Sequence, residues 1–130
     1  MKTYLYVRVS SAEQAGNGES LETQKEQLLA YAKSKKLQDC VIVEDAGVSA
    51  SKKKTKNRRG WLQMFRQLQE GDAVVATKVD RLFRSVADAA TTVQALKKRK
   101  VELHLVDKNG LVAGSINDEL SFNIVAAVAQ

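Results

Sequence analysis

The chain has 130 residues, of which 44% are hydrophobic and 28% are charged, and it contains no proline. This length fits a single domain with one buried core, and the composition excludes a disordered or collagen-like chain. No apolar run approaches the roughly 20 residues of a membrane-spanning helix, and the N-terminus lacks the long apolar stretch of a secretory signal. The single cysteine, Cys40, excludes an internal disulfide and a cysteine-based zinc site, and it favours a cytosolic protein.

The net charge of +6 is unevenly distributed along the chain. Residues 1–50 carry 6 basic and 7 acidic side chains, residues 51–100 carry 14 and 4, and residues 101–130 carry 1 and 4. A basic middle segment between acidic flanks favours a polyanionic partner such as nucleic acid. A solvated, lysine-rich surface is the alternative interpretation.

The first half of the chain alternates between strand and helix. Residues 3–9 are a short run of β-branched and aromatic residues, which predicts a strand, and a loop follows over residues 10–19. Apolar residues at helical spacing predict a helix over residues 20–36. Its inward face is expected to comprise Leu21, Leu28, Leu29 and Ala32. A second strand is predicted over residues 40–44, opened by Cys40 as a buried and unreactive thiol.

The second half continues the alternation after a polar, basic loop over residues 46–57. The pattern predicts a helix over 59–69, a strand over 73–78, a helix over 85–99 and a strand over 101–106. The residues expected to face inward from the two helices are Trp61, Leu62, Phe65, Leu68, Val86, Ala89, Ala90, Val93 and Leu96.

Short signals mark the ends of these elements. Ser85 followed by Asp88 resembles a capping box at the start of a helix, and Gly71 stands where a helix terminator belongs. His104 lies in an apolar strand and is expected to be a core histidine. After a turn at Asn109-Gly110, the chain has room for a short strand over 111–113.

The order of elements predicts the fold class. Alternating strands and helices are typical of an α/β fold, here a three-layer, open, mostly parallel sheet of four or five strands flanked by helices. In such folds, sites form outside the carboxyl ends of the strands. A final helix over residues 116–130 is apolar nearly all round, which indicates that it docks on another subunit, that the chain is a fragment of a longer protein, or both.

The first strand carries an unusual polar face. Side chains alternate along a strand, so Tyr6, Arg8 and Ser10 lie on one face. A central strand of a parallel sheet is normally apolar on both faces, and burying an arginine is costly unless it is paired. Either this face belongs to a functional site at the carboxyl end of the strand, or the strand is at the edge of the sheet with one face in water.

Two further groups of basic residues could bind phosphate. Arg81 and Arg84 would share a face of a helical turn after the third strand, where Asp80 could hold an arginine by a charge-assisted hydrogen bond. This arrangement would cradle a phosphate, although a surface ion-pair cluster has the same composition. The cations of the run over residues 52–59 would follow a phosphate backbone or line a solvated loop; they are Lys52, Lys53, Lys54, Lys56, Arg58 and Arg59.

The motifs that are missing from the sequence also restrict its chemistry. It contains no P-loop and no GxGxxG, and no acidic cluster typical of a two-metal nuclease. Phosphate chemistry here would therefore need arginine rather than a metal ion to stabilise negative charge.

An ordered set of motifs covers essentially the whole chain. They are YVRVSSAEQ at 6–14, SLETQ at 20–24, DAGVS at 45–49, NRRGW at 57–61, KVDRLFRS at 78–85 and AVAQ at 127–130. The set resembles the catalytic domain of serine site-specific recombinases, the resolvase/invertase superfamily. The segment AGNGE at 15–19 is similar to the large serine recombinases, which include phage integrases and transposon recombinases.

The resemblance implies roles for individual residues. Ser10 stands where the family has its nucleophile, and the surrounding active-site positions are Arg8, Arg58, Asp80, Arg81 and Arg84. The supporting positions are Tyr6, Gln14, Gln24 and Ser49, and the expected DNA contacts are Lys52, Lys53, Lys54, Lys56 and Arg59. Arg58-Arg59-Gly60 replaces the family's usual Arg-Pro-Gly, so either Arg58 or Arg59 could face the phosphate. Ala50 replaces the family's usual glycine after Ser49, which would restrict that loop.

The resemblance also implies a reaction. Residues 1–130 would be an N-terminal catalytic domain without the C-terminal DNA-binding domains, acting in the cytoplasm of a bacterium and encoded there or by a phage. The expected reaction is cleavage and rejoining of double-stranded DNA through a 5′-phosphoserine on Ser10, without metal or other cofactor. A homodimer would bind each site and a homotetramer would form in synapsis. Integration, inversion, resolution and transposition all stay open.

Two other functions are compatible with the residues alone. A non-catalytic, basic α/β module that binds nucleic acid or regulates a partner would explain the charge of the middle segment. It would not explain the polar face of the first strand together with an arginine pair. A phosphate-ester hydrolase with a serine nucleophile would turn over small phosphate esters.

Overall fold

The computed structural model describes residues 1–9, 20–46, 59–78, 82, 85–106 and 110–113. Within these ranges the chain forms five strands and three helices. They are β1 (Thr3–Val9), α1 (Leu21–Ser34), β2 (Cys40–Ala46), α2 (Arg59–Gln67), β3 (Ala73–Ala76), α3 (Val86–Arg99), β4 (Glu102–Leu105) and β5 (Gly110–Ala113). The predicted strands and helices are thus confirmed in these ranges, with ends that differ by a few residues, whereas the predicted helix over 116–130 lies outside them.

The strands form one sheet in the order β2-β1-β3-β4-β5. The first four strands are parallel and β5 runs antiparallel to β4, which confirms the open, mostly parallel sheet. β1 lies between β2 and β3, so the interpretation of the first strand as an edge strand is wrong. The chain turns to one side of β1 to form β2 and to the other side to form β3. Sheets of this order bind ligands at the carboxyl ends of the two strands where the direction reverses, here β1 and β3.

Helices cover both faces of the sheet. On one face, Leu28 and Ala32 of α1 pack against Leu5, Val7 and Val75. On the other face, α2 and α3 pack against the opposite side chains of the same strands. The main members of this second core are Tyr4, Tyr6, Trp61, Met64, Leu68, Val74, Ala76, Val93, Leu96, Leu103 and Leu105.

The strands β2 and β3 pair with β1 over different lengths. β2 pairs with it along its whole length, up to Val9 opposite Ala46. The pairing with β3 runs only from Thr3 opposite Ala73 to Leu5 opposite Val75. Beyond Leu5, the residues of β1 therefore pair with β2 but not with β3.

Local hydrogen bonds explain where the helices begin. The Ser20 hydroxyl accepts the Thr23 N–H at 3.1 Å before α1, and the Ser85 hydroxyl accepts the Asp88 N–H at 3.0 Å before α3. The second contact confirms the predicted cap at Ser85. Gly71, with φ of 91°, lies in the turn that leads from α2 into β3.

Three predictions of burial are wrong. Cys40 is exposed, because it opens β2 at the edge of the sheet. Leu29 is 49% exposed, and the buried face of α1 contains Gln24 and Tyr31 instead. Ala90 is also exposed on α3. The errors at Leu29 and Ala90 come from helical periodicity, which locates an apolar stripe only to within one position.

The histidine prediction is confirmed, since His104 is 4% exposed in the core. No helix within the described ranges combines the length and the apolar composition that a bilayer span requires.

Candidate active site at the carboxyl end of β1

Arg8 is held at the carboxyl end of β1 by a side chain from α1. The Arg8 N–H donates to Gln24 Oε1 at 3.2 Å, and Gln24 Nε2 donates to the Arg8 carbonyl at 3.0 Å. Gln24 is fully buried and Arg8 is 8% exposed. The structure thus brings together two of the residues that the sequence assigns to the site, and it fixes the backbone from which the arginine side chain extends.

Tyr6 faces β2 from two residues further back. Its hydroxyl donates to Asp45 Oδ2 at 2.7 Å, and its ring makes an edge contact with Trp61, with centroids 5.3 Å apart. Both Tyr6 and Asp45 are buried. A buried polar group requires a hydrogen-bond partner, and the Tyr6 hydroxyl has one in a carboxylate of the neighbouring strand.

Asp45 also caps α2. The N–H of Gly60 donates to Asp45 Oδ1 at 2.9 Å, and the N–H of Trp61 donates to Oδ2 at 3.0 Å. These donors belong to the first turn of α2, where backbone N–H groups lack partners within the helix and a negative charge is favourable. With the Tyr6 hydroxyl, three donors converge on one carboxylate that joins β1, β2 and α2.

The fit between Asp45 and α2 leaves no room for a side chain at Gly60. A Cβ there would lie 2.9 Å from Asp45 Oδ1, 2.9 Å from the Glu44 carbonyl and 3.1 Å from Val43 Cγ1. Glycine is therefore required by the close approach of the helix to β2 rather than by an unusual backbone angle. Arg59 precedes it as the first residue of α2 and is exposed.

Most of the sequence-predicted site residues lie outside the described residues. Tyr6, Arg8, Gln24 and Arg59 are described, and the first three lie together around the end of β1. The residues outside the described ranges are Ser10, Gln14, Ser49, Lys52, Lys53, Lys54, Lys56, Arg58, Asp80, Arg81 and Arg84. In the chain, Ser10 immediately follows Val9, the last residue of β1.

Asp45 is the residue that sequence reasoning missed. It belongs to the DAGVS motif and follows an apolar strand, so a signal was present at the carboxyl end of β2. Its partners are 39, 15 and 16 residues away in the chain. No local pattern pairs a strand-end aspartate with a tyrosine of another strand and the start of a distant helix.

The end of β1 combines a buried arginine, Arg8, with a buried carboxylate, Asp45. A buried guanidinium on a rigid strand is a preorganised anion contact, since arginine stays charged and offers donors in a fixed geometry. In the part of the chain that the structure describes, no three His, Cys, Asp or Glu side chains cluster as metal ligands. Arg8, whose backbone is held by Gln24, lies opposite Asp45 in the pairing of β1 with β2, next to the Tyr6–Asp45 hydrogen bond.

Comparison with known proteins identifies the family. Residues 3–130 match the family model of the resolvase N-terminal domain. The chain is 25% identical over 129 residues to the transposon Tn2501 resolvase of Escherichia coli, covering 99% of this chain and 62% of that protein. It is 31% identical over 126 residues to the transposon Tn552 resolvase of Staphylococcus aureus, covering 96% of this chain and 56% of that protein. The chain thus spans about three fifths of the length of these relatives.

Solved structures share the fold. The N-terminal catalytic domain of TP901-1 integrase superposes with a TM-score of 0.73 at 26% identity, covering 99% of this chain and 93% of that one. A resolvase-family site-specific recombinase from Streptococcus pneumoniae gives a TM-score of 0.71 at 31% identity, covering 99% and 85%. The family match over nearly every residue and the shared fold together show that the chain belongs to the resolvase family of serine recombinases, whose N-terminal domain it matches.

Proposed function

We propose that this chain is the catalytic domain of a site-specific DNA recombinase of the large serine recombinase branch. The observation that carries the proposal is Arg8, a buried arginine fixed by Gln24 at the carboxyl end of a central strand, two residues before Ser10. This is the edge of the sheet at which the fold class forms its sites. The similarity to the catalytic domain of an integrase supports the branch.

In the proposed reaction, the Ser10 Oγ attacks a phosphorus atom of the DNA backbone. A bond forms between Oγ and phosphorus, the bond from phosphorus to the 3′ oxygen breaks, and the serine proton is released while the 3′ oxygen takes up a proton. The products are a 5′-phosphoserine and a free 3′-hydroxyl. Attack by the 3′-hydroxyl on the phosphoserine reverses the step, so rejoining needs no nucleotide cofactor.

Arginine side chains would replace a metal ion in this mechanism. A serine hydroxyl is a weak nucleophile, and the transition state spreads negative charge over the phosphoryl oxygens. Arg8 would stabilise that charge, with Arg81, Arg84 and one of Arg58 and Arg59. Asp80 would orient an arginine or handle the proton of the leaving group.

The proposed partners follow from the reaction. The substrate is double-stranded DNA, contacted along its backbone by the basic run over residues 52–59. One homodimer binds each site, and two dimers form a homotetramer in synapsis. The recombinase acts on DNA in the bacterial cytoplasm.

The experiment is to trap the covalent intermediate with the full-length protein. Duplex fragments tiled over the DNA on both sides of its own gene are nicked near each candidate crossover so that rejoining is blocked. Adducts are located by mass spectrometry. We expect an adduct on Ser10 through a 5′ phosphate, lost in Ser10→Ala and retained in the matched control Ser11→Ala.

Other outcomes would contradict the proposal in distinct ways. Cleavage that survives in Ser10→Ala removes the assigned nucleophile. Site binding without any adduct favours the non-catalytic nucleic-acid-binding module. Turnover of p-nitrophenyl phosphate by the same preparation favours a phosphate-ester hydrolase.

A further inference from the structure

Two polar side chains on the buried face of α1 form hydrogen bonds with the sheet, at two separate points along the helix. Gln24, Leu28 and Tyr31 lie on this face, and seven residues of helix separate the first from the last, which is about 10 Å along the axis. Gln24 bonds to Arg8 on β1. Tyr31 reaches β4, two strands away from β1 in the sheet. The helix is therefore bound to the sheet by directional contacts at two points with apolar packing between them.

The second point is a chain of three side chains. The Tyr31 hydroxyl lies within hydrogen-bond distance of His104 Nδ1, and His104 Nε2 lies 2.9 Å from Glu102 Oε1. The Tyr31 and His104 rings pack edge to face with centroids 5.5 Å apart. Tyr31 is 8% exposed and His104 is 4% exposed, so these hydrogen bonds replace contacts with water.

Glu102 determines which nitrogen of a neutral His104 carries the hydrogen. A carboxylate accepts and does not donate, so that hydrogen belongs on Nε2, facing Glu102. In this neutral form His104 Nδ1 accepts from the Tyr31 hydroxyl. Burial, and then the nearby charge of Glu102, raise the pKa of Tyr31, which keeps the hydroxyl protonated as a donor. The Tyr31 hydroxyl and both nitrogens of His104 therefore each have a suitable partner when His104 is neutral.

Directional hydrogen bonds can fix the axial position of α1, which apolar packing alone leaves free. The hydrophobic effect is not directional, so the contacts of Leu28 and Ala32 favour burial of the α1 face without fixing its axial position. A shift of α1 by a fraction of an ångström would lengthen the hydrogen bonds between Gln24 and Arg8. An anchor at Tyr31 opposes that shift because both residues lie on the same stripe of one rigid helix.

We propose that the Tyr31–His104–Glu102 chain is a positioning device, with His104 held as the neutral Nε2–H tautomer, that keeps α1 in register so that Gln24 holds the backbone of Arg8. The inference rests on the proposed function only in its consequence for cleavage. The structural part concerns two hydrogen bonds and a tautomer, which are measurable without DNA.

The first test observes the imidazole nitrogens of His104 by ¹⁵N NMR of the full-length protein at pH 7.5. Their signals are assigned as the pair that disappears from the spectrum of His104→Gln. We expect a protonated Nε2 and an unprotonated Nδ1, with Nδ1 shifting in Tyr31→Phe. A wild-type imidazole that is charged, or protonated on Nδ1, overturns the proposal.

The second test measures the link from Tyr31 to the site. In Tyr31→Phe, hydrogen exchange of the Arg8 amide should accelerate about three- to tenfold relative to the Val75 amide, since one buried hydrogen bond is lost. Tyr4→Phe is the matched control, because Tyr4 is also buried, at 4% exposure against 8% for Tyr31, and lies on β1 outside the His104 chain. Equal acceleration in both variants, or at both amides, would mean that Tyr31 contributes to general stability alone.

Cleavage and rescue separate this proposal from the proposed function. Single-turnover formation of the Ser10 adduct should slow about three- to tenfold in Tyr31→Phe and in His104→Leu. His104→Gln should recover most of the rate, because its amide accepts from Tyr31 and donates to Glu102. An adduct whose rate is unchanged in these variants overturns the positioning role only. The absence of any wild-type adduct overturns the proposed function and leaves the NMR and exchange results to decide the positioning role.

Discussion

Gln24 hydrogen-bonds the backbone of Arg8 through both ends of its amide, at 3.2 Å as acceptor and 3.0 Å as donor. A strand neighbour normally supplies these two bonds. Here the pairing between β1 and β3 stops at Leu5 and Val75, three residues before Arg8. A side chain of α1 therefore takes the place of a neighbouring strand at Arg8, beyond the point where the pairing of β1 with β3 stops.

Replacing Gln24 by leucine should destabilise the fold and slow cleavage. Two buried backbone groups of Arg8 would lose their partners, which costs about 2–4 kcal/mol in the free energy of unfolding. Urea denaturation of the full-length protein measures this cost. Gln27→Leu is the matched control on the exposed side of α1 and should change stability by less than about 0.5 kcal/mol. Similar losses in both variants would show that the Gln24 bonds contribute little.

Replacing Gly60 by alanine should destabilise the protein, although alanine is normally the better helix former by about 1 kcal/mol. The new Cβ would lie 2.9 Å from both Asp45 Oδ1 and the Glu44 carbonyl, so α2 or β2 must shift. We expect a loss of about 1–3 kcal/mol. Gln63→Ala, at an exposed position of the same helix, should be neutral or slightly stabilising. A Gly60→Ala protein as stable as the wild type would contradict the close approach.

Stability should fall at alkaline pH through two buried tyrosines. Burial raises the pKa of Tyr4, with further contributions from Asp72 and Asp39, and burial and Glu102 raise the pKa of Tyr31. Each folded-state pKa lies above the value of 10.0 of an ordinary tyrosine, so the unfolded chain releases these protons first as pH rises. The stabilisation is complete below about pH 10 and is lost as pH rises towards the folded-state pKa.

Urea denaturation between pH 8 and pH 11 checks this prediction. Lys25 contributes in the same direction, since its hydrogen bond with Glu44 raises its pKa. The Tyr4→Phe/Tyr31→Phe double variant should therefore show a shallower loss of stability above pH 10, not a flat profile. An unchanged slope would mean that the two hydroxyls ionise equally well in the folded and unfolded chains.

The basic run should make DNA binding depend on salt. Each phosphate contact that is removed lowers the slope of log K against log salt by about one. Changing Lys52, Lys53 and Lys54 together to alanine should lower that slope by about two to three for the full-length protein on a random-sequence duplex. Lys33, Lys35 and Lys36, which are exposed at the end of α1, form the matched triple control. Equal effects of the two triples would show that the charge acts without regard to position.

Local patterns in the sequence determined the α/β class, the positions of the elements and two of the helix starts. These features depend on residues within a few positions of one another, such as the apolar run of β1 or the contact of Ser85 with Asp88. The motif resemblance likewise assigned Tyr6, Arg8 and Gln24 to one site. It did so without indicating that Gln24 acts on the backbone of Arg8 and not on a ligand.

Tertiary structure alone decided which groups meet. Asp45 collects donors from a strand and a helix that lie 15 to 39 residues away, and its role depends on the height at which β2 pairs with β1. The exposure of Cys40 depends on the strand order, which places β2 at an edge. Hydrophobic periodicity in the sequence indicates which face of a helix or strand is apolar, because each element buries its own apolar face. Strand order and register arise from the packing of all the elements together, and they determine which polar groups form the site.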